Sequence, residues 1–176
     1  MGCCEAASHP QVVSIEGGDK VAEKVIVRQK STYEISFFAA DPEDESGDAL
    51  LAPVAYIHEL SPYGMLLASI GSCTTILLHS YAQNLGMKLD EVEMRLEYQR
   101  SFKEDCDNCE EIERYEEIIL IDIALKGRLS EQEKQRLLAI SHQCPVHRIV
   151  EDGIKTELRL KDSFSTDVEI GHHHHH

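Results

Sequence analysis

The stretch from Ser61 to Met87, SPYGMLLASIGSCTTILLHSYAQNLGM, contains no Asp, Glu, Lys or Arg in a chain that is 28% charged. Apolar residues recur at Met65, Leu66, Leu67, Ala68, Ile70, Ile76, Leu77, Leu78, Tyr81, Ala82 and Leu85, more than one helical face can hold. The pattern predicts a long central helix buried nearly all round. Gly71, Ser72, Cys73, Thr74 and Thr75 form a small polar island at its middle, and residues of that size let other groups approach the backbone closely. A cysteine in such a place is by default a small buried hydrophobe. The run is long enough to cross a bilayer. Ser61, Ser69, Ser72, Thr74, Thr75, His79, Gln83 and Asn84 dilute it, however, and no aromatic belt or Lys/Arg cluster flanks it, so no membrane association is expected.

The rest of the composition narrows the function classes. A net charge of −15 opposes contact with the phosphate backbone of nucleic acid or with an anionic membrane, both of which reward clustered cations. The N-terminal MGCCEAASHP has no basic region followed by an apolar stretch, and Ala6 stands where an acylation signal has serine or threonine, so a cytoplasmic protein is expected. In a reducing compartment six cysteines are thiols, metal ligands or redox groups rather than structural bridges. The length suits one domain, read as residues 21–161. Residues 1–20 form a loose arm, and 162–176 a tail ending in a run of histidines that reads as an affinity tag.

Along the chain, KVIVRQKSTYEISFFA between Glu23 and Ala39 is rich in β-branched and aromatic residues and breaks at Gln29 to Thr32, a β-hairpin with Arg28 on its first strand. ADPEDESGDALLAP reads as an acidic solvated loop. After the helix, with Gly86 as its stop, Leu89 to Phe102 and Tyr115 to Gly127 alternate apolar and charged residues as two antiparallel strands. Ser130 and Glu133 form a capping box that opens a second helix ending near Cys144, because Pro145 disfavours helical backbone before it. A short helix follows from His147, and Ile154 to Leu160 alternates again as a strand closing the sheet. Two strand pairs, a long helix, a helix and a last strand make an α+β fold, an antiparallel sheet around a buried helix.

Two further cysteine settings carry chemistry. Cys144 lies in HQCPVHR, and Cys106 and Cys109 form DCDNCE, whose acidic flanks disfavour thiolate. CxxC together with Cys144-Pro-Val-His147 supplies four ligands at zinc-site spacing. Helix histidines such as His79 are more often satisfied core residues than ligands.

LLASIGSCTTILLHSYAQNLGMKLDEVEMRLEY, followed downstream by CPVHRIVEDGIKTELRL, closely resembles the OsmC/Ohr family of osmotically induced and organic-hydroperoxide-resistance proteins over roughly Val25 to Leu160. The resemblance implies an intertwined homodimer and a thiol peroxidase that needs no cofactor. Its small hydroperoxide substrate meets Cys73 as the peroxidatic thiolate, Cys144 resolves the sulfenic acid to a disulfide, and a dithiol reductant restores both thiols. It also implies a strand arginine beside the thiolate, a role that falls to Arg28. The family's glutamate that steadies this arginine follows the proline before the helix. Pro62-Tyr63-Gly64 has glycine there, and Glu59 is the nearest substitute. The alternative is a non-catalytic module of the same fold that holds zinc through Cys106, Cys109, Cys144 and His147.

Overall fold

A computed structural model describes residues 22–40, 51–102 and 115–164. Five strands form one antiparallel sheet in the order β3-β2-β1-β4-β5: β1 is Ala22–Lys30, β2 Ile35–Ala40, β3 Leu51–Pro53, β4 Lys88–Phe102 and β5 Tyr115–Arg128. Helix α1, Pro62–Asn84, lies against β1 and β4, and α2, Glu131–Ser141, and α3, Pro145–Asp152, pack on α1.

Local chemistry sets the ends of these elements. Ser61 Oγ accepts the Gly64 N–H at 3.0 Å and Pro62 occupies the first turn, so α1 starts where its free amides find partners. It stops at Gly86, whose φ of +66° suits a residue without a Cβ. Ser130 and Glu133 cap α2 reciprocally, as the sequence predicts. Tyr63, in the first turn of α1, stacks on Tyr98 of β4 with 4.4 Å between ring centroids, and its hydroxyl accepts from Arg100 at 2.6 Å. This fixes the entry of α1 against the sheet.

Strand alternation decides which residues face the helix. Val25, Val27 and Gln29 of β1 and Val92, Met94, Leu96 and Tyr98 of β4 are buried, joining Leu67, Ile70, Leu78 and Ala82 of α1 and Leu137 and Ile140 of α2 in one core. Gly71 receives Val27, the close approach that the small residues of the helix anticipate. His79 is a core residue: its Nε2 lies 2.8 Å from the Gln29 carbonyl oxygen and donates to it.

Three expectations need correction. Ile154 to Leu160 is not a strand: residues 153–161 have no regular structure, with Leu158 and Leu160 each 98% exposed. Their alternation is a pairing signal, and among the described residues no strand pairs with them. Leu51–Pro53, read as loop, is a short edge strand on β2. Helix α1 is not buried all round, because the sheet and two short helices cover only part of it. Met65, Leu66 and Ile76 are exposed, and Ser69, Ser72, Cys73 and Ser80 are half-buried on the same side. The expected arm at 1–20, the acidic segment 41–50, the loop carrying Cys106 and Cys109, and the tail from 165 onward lie outside the described residues.

Candidate active site

Cys73 stands in the fourth turn of α1, on the side that the sheet does not cover, and is half-buried. Cys144 is fully buried at the N-cap of α3, because Pro145 ends the preceding turn and begins the next helix. The packing of α3 on α1 brings the two cysteines close enough for each thiol to shift the other, and neither is in a disulfide. Among the described residues, then, the structure brings together the two cysteines that the sequence singles out.

Their surroundings differ. Burial raises the Cys73 thiol, and its hydrogen bond to Cys144 raises it further; the Val146 N–H opposes both. Burial also presses on Cys144, yet its thiol is lowered overall. Thr74, the His147 N–H, Cys73 and the Val146 N–H lie about that sulfur and together favour its thiolate. The two amides belong to the first turn of α3 and face the sulfur without closing a capping hydrogen bond of ordinary geometry. Of the two, Cys144 is therefore the thiol whose proton is more readily lost.

Arg28 and Glu59 are not brought to this pair. Val27 points at α1, so Arg28, the next residue, projects from the opposite face of the sheet. There its guanidinium sits 5.0 Å from the Phe38 ring centroid and donates to Glu93 Oε1 through Nη2 at 2.6 Å and Nε at 3.0 Å. Glu93 also receives Arg95 Nε at 3.2 Å. The carboxylate holding Arg28 is thus Glu93, a cross-strand neighbour on β4, and not Glu59. Glu59 accepts the Ala55 and Tyr56 N–H groups at 2.7 and 3.2 Å and caps the short 3-10 turn Ile57–Glu59, contacts that lower its own carboxyl. Only strand register could have revealed Glu93: antiparallel pairing sets Arg28 directly opposite it.

Of the four zinc-site residues, Cys106 and Cys109 lie outside the described residues. Cys144 faces Thr74 and Cys73, while His147 Nε2 is 3.1 Å from Glu151 Oε1. Among the described residues no three or more His, Cys, Asp or Glu side chains gather closely enough to hold a metal ion.

An antiparallel sheet crossed by one long helix, with a helix cysteine against a Cys-Pro cysteine from a following short helix, defines a class of two-thiol α+β proteins. Residues 57–159 match the family model described as OsmC-like protein, and the chain belongs to the OsmC-like family. A crystal structure of an OsmC-like hydroperoxide resistance protein from Jannaschia sp. CCS1 superposes with a TM-score of 0.52 over 81% of this chain and 97% of that one, at 18% identity. The likeness is one of fold. No curated protein matches the sequence.

Proposed function

We propose that the protein is a thiol-dependent hydroperoxide reductase acting in peroxide defence, with Cys73 peroxidatic and Cys144 resolving. The observation that carries this reading is the packing of α3 on α1, which sets a half-exposed and a fully buried cysteine close enough for each thiol to shift the other. Family membership and the printed name of the Jannaschia protein support the same chemistry.

Every proton in the sequence of steps has a place. Cys144 first gives its proton to solvent and then takes the Cys73 S–H proton, leaving a Cys73 thiolate at the accessible position. The thiolate attacks one peroxide oxygen, the O–O bond breaks, and the departing alkoxide takes the proton back from Cys144 to leave as alcohol. Cys73 is now a sulfenic acid and Cys144 a thiolate. Attack by the Cys144 sulfur on the Cys73 sulfur forms the disulfide and breaks the S–O bond, and the hydroxide leaves as water after protonation by solvent. A dithiol reductant then returns both thiols.

The working unit in this reading is a homodimer in the cytoplasm. Met65, Leu66 and Ile76, with Ser69, Ser72 and Cys73 between them, form an apolar strip of small and medium side chains along α1. A second copy covers such a strip by two-fold symmetry. Residues 154–160, alternating and unpaired among the described residues, are the segment expected to add to the partner's sheet.

The test is consumption of an organic hydroperoxide by wild type and by Cys73→Ser with dithiothreitol as reductant. Turnover that survives Cys73→Ser overturns the reading.

A further inference from the structure

Tyr33 stands in the connection between β1 and β2 with a φ of +66°, and among the described residues it is the one residue other than glycine with a positive φ. A bulky side chain in that region is a backbone outlier, kept there only where its surroundings over-determine it. Here they do. The Tyr33 N–H donates to the Lys30 carbonyl at 2.8 Å, and the Tyr33 carbonyl accepts from Gln29 Nε2 at 3.3 Å. The ring centroid lies 6.1 Å from that of His79, which the Gln29 carbonyl holds in the core. The hydroxyl donates to Gln83 Oε1 at 3.1 Å and accepts from Ser80 Oγ at 3.4 Å, while Gln83 Nε2 donates to the Ser31 carbonyl at 3.3 Å. The connection is thus tied to the last turns of α1, and the ring, although 40% exposed, is not free to swing away.

Helix geometry relates this ring to Cys73. Leu77 and Ser80 follow Cys73 by four and seven residues and so share its side of α1, and seven residues rise roughly 10 Å along the axis. Both are half-buried, as Cys73 is. Gln83 and Tyr81 flank Ser80 on opposite sides of the helix. On the Gln83 flank stands the Tyr33 ring; on the other the Tyr81 hydroxyl accepts from Arg136 Nη2 at 3.1 Å, with the guanidinium 5.6 Å from the Tyr81 ring centroid. An apolar body that leaves Cys73 toward the C-terminal end of α1 therefore runs over Leu77 and meets these two tyrosines at Ser80. The opposite direction, over Leu66 and Met65, is the part of the strip that a second copy covers in the reading above.

We propose that Tyr33 is a specificity-determining residue: its ring closes the Cys73 side of α1 at Ser80 and limits the length of the apolar hydroperoxide that can lie there. The inference rests on the peroxidase reading. A short branched alkyl hydroperoxide fits between Cys73 and the ring, and a long linear one runs into it. Tyr33 neither touches the reacting oxygens nor moves a proton. The left-handed backbone aims the side chain at α1, and the bonds to Ser80 and Gln83 keep it there against the strain.

The test compares kcat/KM for tert-butyl and dodecyl hydroperoxide in wild type, Tyr33→Gly and Tyr33→Trp, with dithiothreitol as reductant. Glycine accepts the positive φ and removes the ring, whereas tryptophan enlarges it. Tyr33→Gly should raise the dodecyl value about tenfold and leave the tert-butyl value within about twofold, the scale on which an apolar wall sorts substrates by size. Tyr33→Trp should lower the dodecyl value alone. An unchanged ratio of the two substrates in Tyr33→Gly overturns the proposal, and so does an equal fall in both, which would make Tyr33 a structural tie only. A second readout needs no turnover: alkylation of Cys73 by N-ethylmaleimide and by N-dodecylmaleimide, located by peptide mass spectrometry, should show the same selective gain for the longer reagent in Tyr33→Gly. Should no variant consume hydroperoxide through Cys73, the peroxidase reading falls, while the maleimide ratio still decides whether Tyr33 bounds the site.

Discussion

Val27 of β1 lies directly over Gly71 of α1: a Cβ built on Gly71 would sit 2.5 Å from Val27 Cγ2, 2.9 Å from Val27 Cβ and 3.1 Å from Leu96 Cδ1. Both partners are fully buried, so neither side chain has free space to move into. Gly71→Ala should lower stability by about 1–3 kcal/mol, the range for overpacking, despite the better helix propensity of alanine. Denaturant unfolding of Gly71→Ala, Val27→Ala and the double variant checks this. The double variant should recover part of the loss, and strict additivity would show that the two residues do not meet.

The thiol pair predicts different products from its two serine variants. Cys73→Ser should consume no hydroperoxide beyond a background rate. Cys144→Ser should react once and stop with Cys73 as sulfenic acid, advancing to sulfinic acid with excess oxidant. Intact-mass spectrometry at one and ten equivalents of hydroperoxide distinguishes these species. A mixed disulfide from Cys73 to another cysteine in wild type would remove Cys144 from the resolving role.

The Arg28–Glu93 pair predicts a pH effect with a definite sign. Arg28 holds the Glu93 carboxyl below its ordinary value of 4.5, working against burial, with Arg95 assisting. A carboxyl depressed by folding contributes stability that is fully present above its unfolded value and is lost as pH falls through its folded value. Wild-type stability should therefore drop below about pH 4.5 partly through this group, and Glu93→Gln should flatten that part of the curve. At neutral pH, Glu93→Gln should cost about 0.5–1.5 kcal/mol, modest because the Arg28 side chain is 37% exposed and solvent screens the pair. Equal acid sensitivity in wild type and Glu93→Gln would contradict it.

The uncovered strip of α1 predicts self-association. Wild type should sediment as a dimer at micromolar concentration. Ile76→Arg, which sets a cation among Met65, Leu66 and the small residues around Cys73, should sediment as a monomer or as a weakened dimer. A compact wild-type monomer across that concentration range would remove the dimer from the reading.

The sequence revealed the fold wherever local chemistry had one reading. Ser130 and Glu133 could only be a cap, Gly86 ended α1 through its positive φ, β-branched and aromatic residues located β1 and β2, and period-two alternation located β4 and β5. It misled where the pattern described one surface and packing required another. The eleven apolar positions of the central run implied burial on every side, yet one sheet reaches only the side that carries Leu67, Gly71 and Leu78. Alternation at 154–160 reported readiness to pair, not the presence of a partner. At the site, Cys73 and Cys144 were legible because their local settings are unusual. Glu93 was not: its place opposite Arg28 depends on the register between two strands far apart in sequence.

The seam between β1 and β4 has a consequence for how the molecule assembles itself. β1 with β2, and β4 with β5, are hairpins whose strands are near neighbours in sequence, whereas β1 and β4 meet through nine register pairs from Ala22↔Gln99 to Lys30↔Glu91. Closing that register brings together segments separated by the whole of α1, so chain entropy opposes it until the helix is in place as a template for both. The slow event in folding is therefore expected to be the docking of two preformed halves, not the growth of either. Ile121→Val, inside a hairpin formed before that event, should slow refolding with little effect on unfolding, whereas Val27→Ala, on the seam that closes in it, should both slow refolding and hasten unfolding. Stopped-flow chevron plots of the two variants separate those effects.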